Sequence, residues 1–145
     1  MKKNLLPVVL IAGLIVLGVF LYNQDASKTQ KSADSQTKIG IILGFTGPIE
    51  SLAPVMAKSA EMAIDEVNKS GEFMDGSSQL TSVRADSTCV DSAAATAAAE
   101  GVISQGVAAI MGADCSGVTG AIASNVAVPN GVVMISPSAT SPGLT

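Results

Sequence analysis

The chain has 145 residues, of which 48% are apolar, 14% charged and 3% aromatic; it has no His or Trp, and its formal net charge is −4. From Lys38 onward, ten acidic residues outnumber four basic ones, and an acidic, aromatic-poor domain without a basic stripe argues against nucleic-acid binding. The absence of His excludes an imidazole base and most zinc sites, so we expect neither a metal nor a cofactor.

The N-terminus carries an export signal. Residues 1–4 include two lysines, and residues 5–22 form an apolar run of 18 residues without a charge. That run is longer than the apolar region of most signal peptides and close to the lower limit for a membrane-spanning helix. The absence of a small-x-small cleavage site after it favours an uncleaved membrane anchor over residues 1–22; a cleaved signal peptide is the alternative. Either would export the rest of the chain, with the lysines on the cytoplasmic side.

Residues 23–37 contain no apolar side chain larger than Ala. Such a composition is typical of a solvated linker, which would hold a domain away from the membrane. The remaining residues, 38–145, are enough for one small domain.

Within this domain, short apolar runs alternate with segments of helical periodicity. The predicted strands are residues 38–44, 80–86, 108–112 and 132–135. The predicted helices are residues 55–69, 92–105 (capped by Asp91 or Ser92) and 118–128. Apolar strands joined by helices predict an α/β fold, in which a parallel sheet with right-handed crossovers is covered by helices on both faces.

The only two cysteines, Cys89 and Cys115, fall just past the carboxyl ends of the second and third predicted strands. Because the ends of neighbouring parallel strands lie side by side, a disulfide between them is the favoured interpretation in an exported chain. Two free buried thiols are one alternative. A metal pair is another, although no further ligands accompany it.

Two hydroxyl-rich loops follow the third and fourth predicted strands. Ser116 precedes a glycine at a helix start, and Ser138 and Thr140 lie between two prolines. In an open parallel sheet, small ligands bind at the carboxyl edge. Ser116 could serve as a simple helix N-cap, and the second loop as an exposed turn. Alternatively, free N–H groups and hydroxyls at the helix start would form an anion site of carboxylate size.

No catalytic set accompanies these loops. The sequence has no GxSxG motif and no base to activate a serine, and the turn at residues 44–47 lacks the spacing of a nucleotide-binding loop. Acidic residues such as Asp65, Glu66 and Asp114 are expected on solvated surfaces. The chain is therefore not expected to be an enzyme.

Three segments together resemble a known family. They are residues 39–48 (IGIILGFTGP), the pair Cys89 and Cys115 with Ser116 following, and residues 134–145 (MISPSATSPGLT). They resemble the periplasmic branched-chain amino-acid-binding proteins of ABC transporters, which have the type I periplasmic-binding fold. The resemblance covers residues 38–145 in the same order.

The resemblance implies a two-domain clamshell that closes on a small solute and presents it to a membrane permease. Residues 38–145 would then be the N-terminal lobe. Because the family continues with a fifth strand, a hinge and a second domain, the chain is expected to represent a truncated part of such a protein.

The resemblance also implies a ligand site. Hydroxyl and backbone groups at Ser116 and Thr140 would hold the α-carboxylate of an amino acid, and the backbone carbonyl of Ser138 would help to hold its ammonium group. Ala139 belongs to the same loop. Leu52 occupies a position where several relatives place an aromatic residue against the ligand.

The resulting expectation is the extracytoplasmic solute-binding component of an ABC transporter. It would bind a branched-chain type of amino acid or a similar small carboxylate on the periplasmic or extracellular face. Its partners would be the membrane, through the N-terminal helix, and a permease. The alternative is a ligand-sensing receptor domain of the same fold that is coupled to signalling.

Overall fold

Strands and helices alternate along residues 36–145, which are the part of the chain that the structure, a computed structural model, describes. The strands are β1 (Gln36–Leu43), β2 (Gln79–Asp86), β3 (Val107–Gly112) and β4 (Val133–Ile135). The helices are α1 (Ala53–Ser70), α2 (Ser92–Ser104) and α3 (Ser116–Ile122), and α3 continues as a wider π-helical turn over Ala123–Ala127. Short 3₁₀ helices cover Phe73–Gly76 and Pro142–Leu144. The predicted element order is confirmed, and every predicted end lies within two residues of the observed one.

The four strands form one parallel sheet in the order β2-β1-β3-β4. β1 is central, with Gly40 opposite Val83 of β2 on one side and Ile110 of β3 on the other. The parallel α/β prediction is therefore confirmed. The implied adjacency of the second and third strands is wrong, because β1 lies between them.

The two faces of β1 pack against different helices, because successive side chains of a strand point to opposite faces. Ile41 and Leu43 are fully buried against Ala53 and Ala57 of α1. Ile42 is fully buried in a second cluster with residues of α2 and α3: Ala95, Ala99, Val102, Val118, Ile122 and Val126. The sheet is thus covered on both faces, as its continuous apolar strands require.

Local sequence signals set the helix ends. Asp91 caps α2 by accepting hydrogen bonds from the backbone N–H groups of Ala93 (2.9 Å) and Ala94 (3.0 Å). α1 carries Pro54 in its first turn, where no backbone donor is needed, and it ends at Gly71 in the left-handed conformation (φ 69°).

The predicted membrane anchor at residues 1–22 lies outside the described residues, as does the linker except for its last two residues, which begin β1. Within residues 36–145, none of the helices combines the length and the apolar character that crossing a membrane requires.

Candidate functional site

The carboxyl edge of the sheet carries the loops in which the sequence placed a ligand site. Ser116 is the first residue of α3, and Cys115, which makes no side-chain cap bond, occupies the N-cap position. The Ser116 hydroxyl instead accepts hydrogen bonds from the backbone N–H groups of Thr140 (3.1 Å) and Ser141 (3.2 Å). The interpretation of Ser116 as a simple N-cap is therefore wrong. Its oxygen fixes the loop after β4, and no acceptor among residues 36–145 takes its own hydrogen.

Two further serines bind the loop after β4 to the turn after β3. The Ser138 hydroxyl donates to the backbone carbonyl of Asp114 (2.7 Å). The Ser136 hydroxyl donates to the carbonyl of Ala113 and accepts the backbone N–H of Ala139 (2.9 Å). The loop that begins at Ser136 is consequently an ordered part of the edge and not a free turn. Sequence reasoning did not single out Ser136, although its position directly after a strand in a serine-rich run was a signal.

Asp114 lies in the interior of this edge and not on a solvated surface, so that expectation is wrong. It is only 4% exposed. Its Oδ2 accepts the backbone N–H of Gly44 (2.8 Å) and its Oδ1 accepts the hydroxyl of Ser87 (3.3 Å). The reason is the strand order: β3 is next to β1, so a short carboxylate just past β3 reaches the chain where β1 ends.

The predicted disulfide is present: Cys89 and Cys115 are bonded, with their Cα atoms 5.2 Å apart. The alternatives of free thiols and of a metal pair are thereby excluded. Because β1 separates the two strands, the bridge passes over the end of β1. A Cβ atom built on Gly44 would lie only 3.3 Å from Cβ of Cys89, so the smallest residue occupies the place beneath the bridge.

A second carboxylate, Asp86 at the end of β2, orders the turn after β1. It accepts the hydroxyl of Thr46 (2.5 Å) and the backbone N–H groups of Thr46 (3.2 Å) and Thr88 (2.8 Å). Partial burial opposes ionisation, but these hydrogen bonds outweigh it and lower the pKa of Asp86 below its usual value. The next residue of this turn is Gly47, whose φ of 91° favours glycine. Any larger residue would also place its Cβ only 2.5 Å from the carbonyl oxygen of Thr88.

The structure brings together four of the five predicted ligand residues: Ser116, Ser138, Ala139 and Thr140 share the two hydrogen-bonded loops. Leu52 lies just before α1, with 58% of its surface exposed. No hydrogen bond within residues 36–145 joins its turn directly to the loop after β4.

Among residues 36–145, this edge offers hydrogen-bond donors and at least one acceptor to a ligand. The donors are the hydroxyls of Ser116 and Thr140 and the uncapped first turn of α3, which suit an anion. The acceptor is the carbonyl of Ser138, which makes no hydrogen bond among the described residues. Within residues 36–145, no group of three or more His, Cys, Asp or Glu side chains could hold a metal.

A parallel α/β sheet with donor-rich loops at its carboxyl edge is typical of folds that bind small ligands at that edge. Comparison with known families agrees. The periplasmic binding protein model matches residues 36–145, and the chain belongs to that family.

Individual relatives are identical to this chain at about a third of the aligned positions. The Leu/Ile/Val-binding protein BraC3 of Rhizobium johnstonii is 32% identical over 113 residues, which cover 78% of this chain and 30% of that protein. A leucine-, isoleucine-, valine-, threonine- and alanine-binding protein of Pseudomonas aeruginosa is 36% identical over 108 residues, which cover 74% of this chain and 28% of that protein. The chain thus spans less than a third of the length of these relatives.

Solved structures show the same fold. LivJ of Streptococcus pneumoniae, the substrate-binding protein of a branched-chain amino acid transporter in complex with isoleucine, superimposes with a TM-score of 0.67 at 32% identity, covering 76% of this chain and 31% of LivJ. An ABC transporter substrate-binding protein of Desulfitobacterium hafniense in complex with Leu superimposes with a TM-score of 0.62 at 28% identity. The match covers 76% of this chain and 31% of that protein.

Proposed function

We propose that residues 38–145 form the first lobe of an extracytoplasmic solute-binding protein for a branched-chain type of amino acid or a similar small carboxylate. The observation that carries the proposal is the Ser116 hydroxyl, which accepts two backbone N–H groups of the neighbouring loop and so keeps its hydrogen for a ligand. The protein would act as a binding component without catalysis and would deliver its solute to the membrane permease of an ABC transporter.

Each site residue has a proposed role. The hydroxyls of Ser116 and Thr140 donate to the α-carboxylate, and the carbonyl of Ser138 accepts from the ammonium group. Ala139 contributes backbone between them, and the exposed side chain of Leu52 meets the apolar part of the ligand. The relatives support an apolar, branched ligand, since their names specify Leu, Ile and Val, and the bound ligands of the two superimposed structures are isoleucine and Leu.

The organisation of the whole protein is part of the proposal. The domain works on the periplasmic or extracellular face, tethered by an uncleaved anchor at residues 1–22 through the linker at residues 23–37. A second lobe closes over the ligand. The lengths of the relatives, of which this chain spans less than a third, support the second lobe.

The test is isothermal titration calorimetry of L-leucine, L-isoleucine and L-valine against the intact protein, with both lobes present. Ser116→Ala and Thr140→Ala should each weaken binding by about 1–3 kcal/mol, because a hydrogen bond to a charged group is lost. Ser59→Ala, which removes an exposed hydroxyl on the outer side of α1, is the matched control and should leave affinity unchanged. Equal affinity of both site variants and the wild type would contradict the assignment.

A receptor that senses the solute for signalling, without transporting it, is the second candidate. The apolar run at residues 5–22 favours it, since an uncleaved anchor is compatible with a sensor. A permease that co-purifies with the chain from the membrane supports transport. A partner with a signalling domain supports the sensor.

A further inference from the structure

We infer that Asp114 is a positioning residue of the ligand site and that its buried charge restricts the site to ligands that carry an ammonium group as well as a carboxylate. The inference rests on the proposed function and deepens it, because it assigns the ligand class to a residue that does not contact the ligand.

Asp114 connects the ends of all four strands. Its carboxylate accepts the N–H of Gly44, which follows β1, and the hydroxyl of Ser87, which follows β2. Asp114 itself follows β3, and its carbonyl accepts the hydroxyl of Ser138 from the loop after β4. Gly44 and Ser87 are buried, so both donors depend on this carboxylate. The relative positions of the loops at the site therefore depend on one side chain.

The negative charge of this side chain has no cationic partner among residues 36–145. Arg84 pairs with Glu61, and Lys38 donates to a backbone carbonyl at the other end of the sheet. Both oxygens of Asp114 receive neutral donors. The start of α3, two residues further along, adds the favourable end of a helix dipole. None of these contacts supplies a positive side chain, so the charge of Asp114 has no counter-ion among residues 36–145.

An unbalanced charge in the interior acts on a ligand at Ser116. The Cα atoms of Asp114 and Ser116 lie at most about 7 Å apart, because the two residues are two positions apart and an extended chain spans no more than about 3.6 Å per position. A ligand with a carboxylate alone meets repulsion there. In an amino acid, the ammonium group is held by the Ser138 carbonyl, and its positive charge offsets the repulsion between Asp114 and the ligand carboxylate. At the effective dielectric of a partly buried site, this difference corresponds to about a tenfold preference for the zwitterion.

The experiment measures, by calorimetry, the binding of L-leucine and of 4-methylpentanoate, which is leucine without its amino group, to the intact protein with both lobes. Asp114→Asn removes the charge but keeps both contacts, because its oxygen can accept from Gly44 and its amide can donate to the Ser87 hydroxyl. It should bind leucine within about threefold of the wild type and bind 4-methylpentanoate about tenfold more tightly than the wild type does.

Asp114→Ala separates positioning from charge. It leaves the buried groups of Gly44 and Ser87 without an acceptor, so it should weaken both ligands and lower the melting temperature. If Asp114→Asn retains the leucine affinity and the melting temperature that Asp114→Ala loses, the hydrogen bonds of Asp114 position the loops of the site. Asp65→Asn removes an equal charge from the exposed surface of α1, about 18 Å along that helix from its first turn, and should change neither affinity.

The outcomes separate the two claims. A wild type that binds neither ligand overturns the proposed function and this inference together. A wild type that binds leucine, with the same ratio of the two affinities in Asp114→Asn, overturns this inference alone. If Asp114→Ala does not fold, the ratio of the leucine and 4-methylpentanoate affinities in Asp114→Asn still tests the effect of the charge.

Discussion

Removal of the bridge between Cys89 and Cys115 is expected to destabilise the domain strongly. The two residues are 26 positions apart. Closing a loop of that length in the unfolded chain removes about 12 cal/mol/K of entropy, so the double variant Cys89→Ala/Cys115→Ala should lose about 3.5 kcal/mol of unfolding free energy. For a domain of this size, such a loss is a large part of the total stability.

The assay is urea unfolding followed by circular dichroism, with the wild type measured with and without a reductant. The reduced wild type and the double variant should have similar unfolding free energies, and the reductant should not affect the double variant. Because the bridge anchors Cys115 immediately before Ser116, leucine should also bind more weakly when the bridge is absent.

A stability loss below about 1 kcal/mol would refute this reasoning. It would mean that the unfolded chain already holds residues 89 and 115 close together, or that the folded state relaxes when the bridge is removed. Unchanged leucine affinity in a clearly destabilised variant would show that hydrogen bonds alone order Ser116.

Two further predictions concern packing and pH. Gly40→Ala should lower the unfolding free energy by about 1–3 kcal/mol, because a Cβ there would lie 2.6 Å from Cγ1 of Val102. Gly101→Ala should instead raise it by about 0.5–1 kcal/mol, because the added Cβ meets no atom within 4 Å. Chemical denaturation of both variants measures the two changes. The lowered pKa of Asp86 means that it stabilises the fold above about pH 4, its unfolded pKa, and that this contribution disappears as pH falls through the lower folded pKa. The stability difference between the wild type and Asp86→Asn, measured at several pH values, should therefore shrink on acidification, and a constant difference would contradict the assignment.

The sequence predicted the elements of this fold because their signals are local. Apolar runs, helical spacing and residues such as Asp91 and Gly71 identify each element within a short window. The position of hydroxyls after strands was likewise readable, since every strand of a parallel sheet ends at the same edge. Ser116 and Thr140 were therefore expected together, and the structure joins them.

The strand order was not readable in the same way. A chain that alternates strands and helices carries no local signal for whether the next strand is added to the left or to the right. The cysteines were correctly paired, although the adjacency assumed for them was wrong: Cys89 and Cys115 reach each other across β1 because one residue beneath them is Gly44.

The roles of Asp114 and Ser136 depend on that order. An aspartate past a strand is usually solvated, and only the placement of β1 next to β3 supplies the Gly44 N–H that buries this one. Ser136 similarly depends on the carbonyl of Ala113, 23 residues away. Long-range partners of this kind leave no trace in the spacing of nearby residues.

The central position of β1 also has a consequence for the newly made chain. Of the strands in residues 36–145, β1 is the first to leave the ribosome, yet on one side Gly40 pairs with Ile110 of β3, which is made 70 residues later. At about 5–20 residues per second, synthesis of that interval takes roughly 4–14 seconds. The sheet cannot close during this time. One edge of β1 therefore stays unpaired while the proposed export signal at residues 5–22 would act, and translocation would meet a chain that has not yet folded.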